Sequence, residues 1–212
     1  MKKLTILLIY IISVLPAWCS ESFKMKDVFA SMPDSLLPLV TETNRLDCVD
    51  FIENDMEAKV RNRADEYVEL KKLTADYLLF QTSEISTVEM KLLQLSDTSQ
   101  IICMVRTCLV PLADSHVQFY NCDWSPVAEE DLAKLNGCRP SLDEFFLASS
   151  SAEKDELIKS AKLILSELPL MEAHLSADSD KIVWTIGLSE LPKDEKKAVQ
   201  NLVQPVSQSI LR

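Results

Sequence analysis

Glycine is almost missing from this chain: of 212 residues only Gly137 and Gly187 are glycine, against an average usage of about 7%. Phosphate-cradling loops and dinucleotide turns need clustered glycines so that backbone can approach the ligand. Neither G-x-G-x-x-G nor a Walker A loop can be written here, and the G-x-S-x-G nucleophile elbow is missing as well. Histidine is equally scarce, with His116 and His174 alone. There is no C-x-x-C, no H-E-x-x-H and no dense cysteine and histidine cluster, and Asp178 and Asp180 lack the rest of a calcium loop. No metal, no cofactor and no recognisable set of catalytic residues is therefore expected.

Long apolar runs are missing too, with one exception at the start. Lys2 and Lys3 precede an apolar stretch from Leu4 to Leu15, followed by Pro16-Ala17-Trp18-Cys19. That order of charge, apolar core and small residues is a secretory signal spanning residues 1–19. The run is shorter than the roughly 20 residues a membrane span needs. Ala17 and Cys19 occupy the −3 and −1 positions of a cleavage site, which frees Ser20; the alternative makes Cys19 a lipidated first residue, against which the bulk of Trp18 argues. The chain is expected to be exported, periplasmic or outer-membrane-associated, touching membrane only if lipid-anchored.

Basic residues are outnumbered, 22 against 33 acidic, for a net charge of −11. Loss of Lys2 and Lys3 with the signal brings the remainder to about −13. Such a surface repels phosphate backbones, so nucleic acid is excluded as a partner. Nearly half the residues are apolar, 47%, enough for a core and too many for a disordered chain.

The periodicity describes an α+β protein. Lys26 to Met32 and the turns after Pro33 precede a helix from about Arg45 to Glu57, with Asn44 as N-cap and a stripe of Leu46, Val49, Ile52 and Met56. Strands are expected at Tyr67–Leu73, Tyr77–Gln81, Thr87–Leu95, Ile101–Leu109 and His116–Tyr120. Their short connections make an antiparallel meander packed on the preceding helices. A capping box at Ser150–Glu153 opens a helix whose apolar face ends at Pro169. Met171–Leu175 and Lys181–Gly187 form a hairpin, and Pro192 opens a last helix through Ile210 that Pro205 kinks or interrupts. Residues 20–127 thus hold helices and sheet, and residues 128–212 a smaller helix, hairpin and helix, as two parts or one continuous domain.

Met32-Pro33-Asp34-Ser35-Leu36-Leu37-Pro38-Leu39, then Asn44-Arg45-Leu46-Asp47 and Val49-Asp50-Phe51, resemble the opening of a family of exported Bacteroidales proteins, domain of unknown function 3256. Leu73–Leu78, Lys91-Leu92-Leu93, Ile101-Ile102-Cys103, Asp114-Ser115 and Phe119-Tyr120 fit the same family. The resemblance implies export and no assigned activity, so it transfers no functional residue.

Five cysteines follow the signal: Cys48, Cys103, Cys108, Cys122 and Cys138. If the turn after Val110 is centred between Leu112 and Ala113, Cys103 falls opposite Cys122, where spacing of about 4.5 to 5.5 Å allows a disulfide. Free thiols serving as small core residues are the other reading. Asp114, Ser115 and His116 invite comparison with a hydrolase triad, but triad members meet in space and not by adjacency, so a turn entering a strand is the simpler reading. Cys122 and His116, on one strand, would stand about 20 Å apart. Asp76, Glu84 and Glu89 could form an acid and base pair, though such carboxylates are more often a solvated face. Tyr120, Trp124 and Trp184 either line a groove or anchor the core with their polar tips bonded.

Two functions from different classes follow. The favoured one is a non-catalytic, envelope-associated module that binds an envelope protein, peptide or glycan through its sheet. The alternative is a hydrolase with an unrecognised carboxylate site. On the favoured cleavage, N-terminal sequencing of the exported protein reads Ser20 first; a blocked, diacylated Cys19 would establish the anchor instead.

Overall fold

The computed structural model describes residues 22–97, 99–136, 139–148 and 151–211. Two helices come first, α1 (Met25–Ala30) and α2 (Glu42–Glu53). Six strands follow: β1 (Lys59–Arg61), β2 (Tyr67–Leu73), β3 (Tyr77–Ser83), β4 (Ser86–Ser96), β5 (Ser99–Cys108) and β6 (Asp114–Asn121). They form one antiparallel sheet in sequence order. The short α3 (Glu129–Leu132), a 3-10 turn at Leu142–Phe145 and α4 (Ala152–Glu167) lead to a second sheet of β7 (Met171–Leu175), β8 (Lys181–Ile186) and β9 (Val206–Ser209), with α5 (Lys193–Val199) before β9. The architecture is α+β as expected, with β1 and β9 as additional strands. No helix among the described residues is long and apolar enough to cross a membrane.

Alternation along the strands divides the core in two. Leu78 and Phe80 of β3, Val88, Met90 and Leu92 of β4, and Ile102 and Met104 of β5 face the N-terminal helices. There they meet Met25, Val28, Phe29 and Cys48; Phe29 and Phe80 pack edge to face with centroids 5.2 Å apart. The intervening Tyr77, Leu93, Ile101, Cys103 and Val105 face the other way and pack against the C-terminal half, on Phe145, Ala161, Leu165, Ile182 and Trp184. This second core joins residues from both sides of position 127.

Several local expectations need correction. Helix α2 starts earlier, with Thr41 as N-cap and Asn44 at the third position completing a reciprocal capping box. It ends at Glu53, where Asn54 caps it and Asp55 takes a left-handed turn at φ 56°, a conformation Asn and Asp tolerate better than most. Its buried residues are Arg45, Cys48 and Val49, leaving Leu46 and Met56 exposed. The helix is turned because Arg45 is drawn inward: Nη1 donates to Val40 O at 2.8 Å and Asp34 Oδ1 at 3.1 Å, and Nη2 donates to Met32 O. The guanidinium thus gathers the turns joining α1 and α2. Ser151, not Ser150, caps α4; its hydroxyl accepts from Lys154 N at 3.4 Å, and Ser150 lies outside the described residues.

The last expected helix is the largest departure. α5 stops at Val199, a 3-10 turn spans Gln200–Leu202, and Val206–Ser209 is the third strand of the small sheet, with Lys181 opposite Ser209 and Trp184 opposite Val206. Of the kink or interruption expected at Pro205, the interruption is what forms, because proline can neither donate in the helix nor continue it past the preceding turn. The apolar residues beyond it then take strand spacing.

Arg45→Met keeps the volume and removes the buried cation's bonds. It is expected to lower stability by about 3 kcal/mol, read as a fall in the urea midpoint with an unchanged m-value.

Candidate binding cleft

β7 runs across the face of the large sheet, touching β4, β5 and β6. Its even-numbered residues bond β8, so the N–H groups of Met171, Ala173 and Leu175 point outward. Each finds a side chain of the large sheet: Met171 N donates to Asp114 Oδ1 at 3.1 Å, Ala173 N to Ser115 Oγ at 2.8 Å and Leu175 N to Glu89 Oε2 at 2.8 Å. Ser115 Oγ also lies 2.7 Å from Thr107 Oγ1. The turn beyond β7 is held by Lys91, whose Nζ donates to Ala177 O at 2.9 Å and pairs with Asp76 at 2.8 Å. Glu89 and Lys91 are 3% and 2% exposed, so these charged groups belong to the core.

Glu89 also receives the hydroxyl of Tyr77 at 3.1 Å, and His174 Nδ1 lies 2.8 Å from its other oxygen. His174 Nε2 is 3.2 Å from Glu172. The hydrogen bond to Glu89 raises the His174 pKa above the usual 6.5; burial opposes this, and the charges of Glu89 and Glu172 add to it. Burial, then the Glu89 charge, pushes the Tyr77 hydroxyl and the Cys103 thiol upward. Asp76 feels burial most, which works to raise it, but bonds from Lys91 and Thr74 leave it below the ordinary carboxylate value.

Beside the β6–β7 contact lies a cavity of about 580 Å³, within the size range of small-molecule and side-chain pockets. Val117 and Phe119 of β6, Leu132 of α3, Leu135 and Trp184 supply apolar walls, and Arg139 pairs with Asp114 at its side. Trp184 is 1% exposed, and its indole Nε1 has no hydrogen-bond partner. Leu132 stands exposed at the margin. β6 ends the sheet order, and outside β5 it forms one described bridge, Tyr120 with Pro126. The site is a partly apolar cleft against a strand with a largely unpaired outer side.

The residues singled out from sequence are dispersed. Asp114 and Ser115 are engaged by β7, and His116 is exposed on the strand, so the three do not form a nucleophile and base pair. The acid and base candidates do not converge either: Glu84 is exposed in the β3–β4 turn, Asp76 serves Lys91, and Glu89 is buried where a solvated side chain was expected. The β5–β6 register is centred on Pro111, which sets Cys103 opposite Phe119 rather than Cys122. Cys103 and Cys122 then belong to cores on opposite sides of the sheet, and both are free thiols, as are Cys48 and Cys108. Burial pushes Cys48 up to about 12 and Cys122 up to about 11. Cys19 and Cys138 lie outside the described residues. Trp124 is a bonded anchor, its Nε1 donating to Val28 O at 3.1 Å and its ring 5.5 Å from Tyr120, while Trp184 sits in the other core, so the three aromatics do not share a groove. No group of three or more metal-ligating side chains gathers among the described residues.

Fold and cleft together define an α+β protein built on one antiparallel sheet with both faces covered. The chain belongs to the family described as Protein of unknown function (DUF3256), whose model matches residues 18–208. A solved domain of an uncharacterised protein from Porphyromonas gingivalis W83 is similar, at 25% identity and a TM-score of 0.71, over 89% of this chain and 96% of that one. No curated protein matches.

Because the folded His174 pKa lies above its unfolded value, its stabilising contribution is complete below about pH 6.5. The contribution is lost as pH rises through the folded pKa. Glu89→Gln is expected to return the His174 titration toward 6.5 and flatten that fall in melting temperature; imidazole NMR shifts across pH 5–9 provide the check, with the roughly 1-unit scatter of folded histidines as the scale.

Proposed function

We propose that this protein is a non-catalytic, envelope-associated binding module, exported to the periplasm or the outer membrane, that takes a protein, peptide or glycan partner at the cleft beside β6. The observation that carries the reading is the cleft itself: apolar walls, a buried indole N–H without a partner, and a strand whose outer side is largely unpaired. Open strand sides receive extended segments through main-chain bonds, and an adjoining apolar pocket selects a side chain. Three of the polar groups nearby that could do acid and base work are already committed: Asp114 to Arg139 and β7, Ser115 to Thr107 and β7, Glu89 to three donors; His116 also lines the cleft and stands exposed. That commitment favours binding over hydrolysis.

The test is capture of a partner from the envelope fraction, run beside a panel of hydrolase substrates. Leu132→Glu places a charge at the exposed margin of the cleft without touching the core. It is expected to weaken capture about tenfold or more, a cost near 1.4 kcal/mol, with the melting temperature unchanged. Turnover that survives purification and disappears with one Asp or Glu substitution would replace this reading with the hydrolase.

A further inference from the structure

The turns of the large sheet differ in character from one end to the other. In an antiparallel meander successive connections fall at opposite ends. Residues 74–76 and 97–98, which join β2 to β3 and β4 to β5, hold no large apolar side chain. The connections at the other end and their flanks present Tyr67, Ile85, Leu109 and Val110, which stand between 37% and 53% exposed. Turns are ordinarily built from small and polar residues, so this apolar end has no explanation in turn chemistry.

The exposed side chains are neighbours. Leu109 N donates to Ile85 O at 2.8 Å, which ties the β5–β6 turn to the β3–β4 turn. Ile85 and Tyr67 wall one cavity of about 490 Å³, whose other walls are Asp65, Glu66, Ser83 and Glu84. That lining holds three carboxylates and no cation. Asp65 is compensated by Arg61 at 2.8 Å. Glu66 and Glu84 are exposed, and neither carboxylate meets a cation or a hydrogen-bond donor among the described residues. Lys59 and Arg61 are stacked on the Tyr67 ring, 4.8 and 4.5 Å from its centroid, and line no part of the cavity.

Charge decides what fits here. Apolar walls beside two uncompensated carboxylates complement a lysine or arginine with apolar neighbours: the aliphatic stem lies along Tyr67 and Ile85, and the charged head meets Glu66 and Glu84. A second copy of this chain, with its net charge of −11, brings like charge to the same place, and anionic lipid is repelled for the same reason.

We propose that this end of the sheet is a docking surface for a basic, apolar segment of a partner protein, with one lysine or arginine in the cavity and apolar residues on Ile85, Leu109 and Val110. The cavity shares no residue with the cleft beside β6, so the two are tested separately.

The experiment titrates the isotope-labelled chain with three capped peptides: Gly-Leu-Lys-Val-Arg-Leu-Gly, an acidic counterpart with Glu for both cations, and a polar counterpart with Ser for Leu and Val. Amide NMR shifts locate the binding, and sedimentation with vesicles of phosphatidylethanolamine and phosphatidylglycerol is run beside them. The expected result is saturable binding of the first peptide alone, with a Kd below about 1 mM and shifts centred on Tyr67, Glu84, Ile85 and Leu109. Added salt should weaken it. Ile85→Ser and Glu84→Lys are each expected to weaken it about tenfold; both positions are exposed in a turn, so circular dichroism should not change. Absence of binding at about 1 mM peptide would overturn the proposal, as would equal binding of the acidic or polar counterpart or shifts centred on Val117 and Phe119. Affinity retained by both substitutions would also defeat it. Vesicle binding that Ile85→Ser abolishes, with no peptide bound, would assign the patch to a membrane instead.

Discussion

Strand β7 carries three outward N–H groups with no neighbouring strand to receive them, and side chains of the large sheet take that place. Asp114, Ser115 and Glu89 accept from Met171, Ala173 and Leu175 along the line where β7 crosses the strands. A buried main-chain donor left unpaired costs about 1–3 kcal/mol, so the small sheet can lie on the large one only where these acceptors stand. Apolar burial brings the layers together, and the acceptors set their angle and register. The cleft follows from that placement, since its walls combine β6 with Trp184 of β8.

The same arrangement explains why charged side chains appear in a core. Glu89 is stabilised by Tyr77, His174 and the Leu175 N–H, and Lys91 by Asp76 and the Ala177 carbonyl. Each charge keeps enough partners to offset the loss of water. Arg45 does the equivalent on the opposite side, bonded to carbonyls of the turns between α1 and α2. The motif Met32 to Asp34 with Asn44 and Arg45, which carried the family resemblance, is therefore a structural joint.

Local pattern was enough to read the sheet, because strands separated by short polar turns have few ways to pair. Tyr67–Leu73 and Met171–Leu175 coincide with β2 and β7, and the meander order follows from loop length. What depended on distant contacts was not legible. Glu89 and Lys91 alternate with Val88, Met90 and Leu92, a pattern that means a wet face unless something else covers it. The covering strand begins some 80 residues further on, and its apolar alternation at Met171, Ala173 and Leu175 was the available sign that it needed a surface. The cysteine pairing failed for a narrower reason: centring one turn on Pro111 moved Cys103 opposite Phe119. Arg139, Leu132 and Leu135 of the cleft carried no signal at all, since nothing in a loop and a single helical turn announces which strand it will face.

Synthesis proceeds from the N-terminus, and this adds a temporal consequence to the placement of β7. The bonds that seat it join residues 85 and 86 positions apart at Glu89, and 57 and 58 apart at β6. The large sheet and its helices can form as soon as Trp124 has emerged, while Leu93, Ile101, Cys103 and Val105 still lack their cover. Until β7 arrives, the nascent protein presents an apolar sheet face on which Glu89 has Tyr77 but neither His174 nor the Leu175 N–H, and Lys91 has Asp76 but not the Ala177 carbonyl. Long-range closure of this kind is slow and exposes aggregation-prone surface, so the interval before β7 lands is when the chain most needs a chaperone.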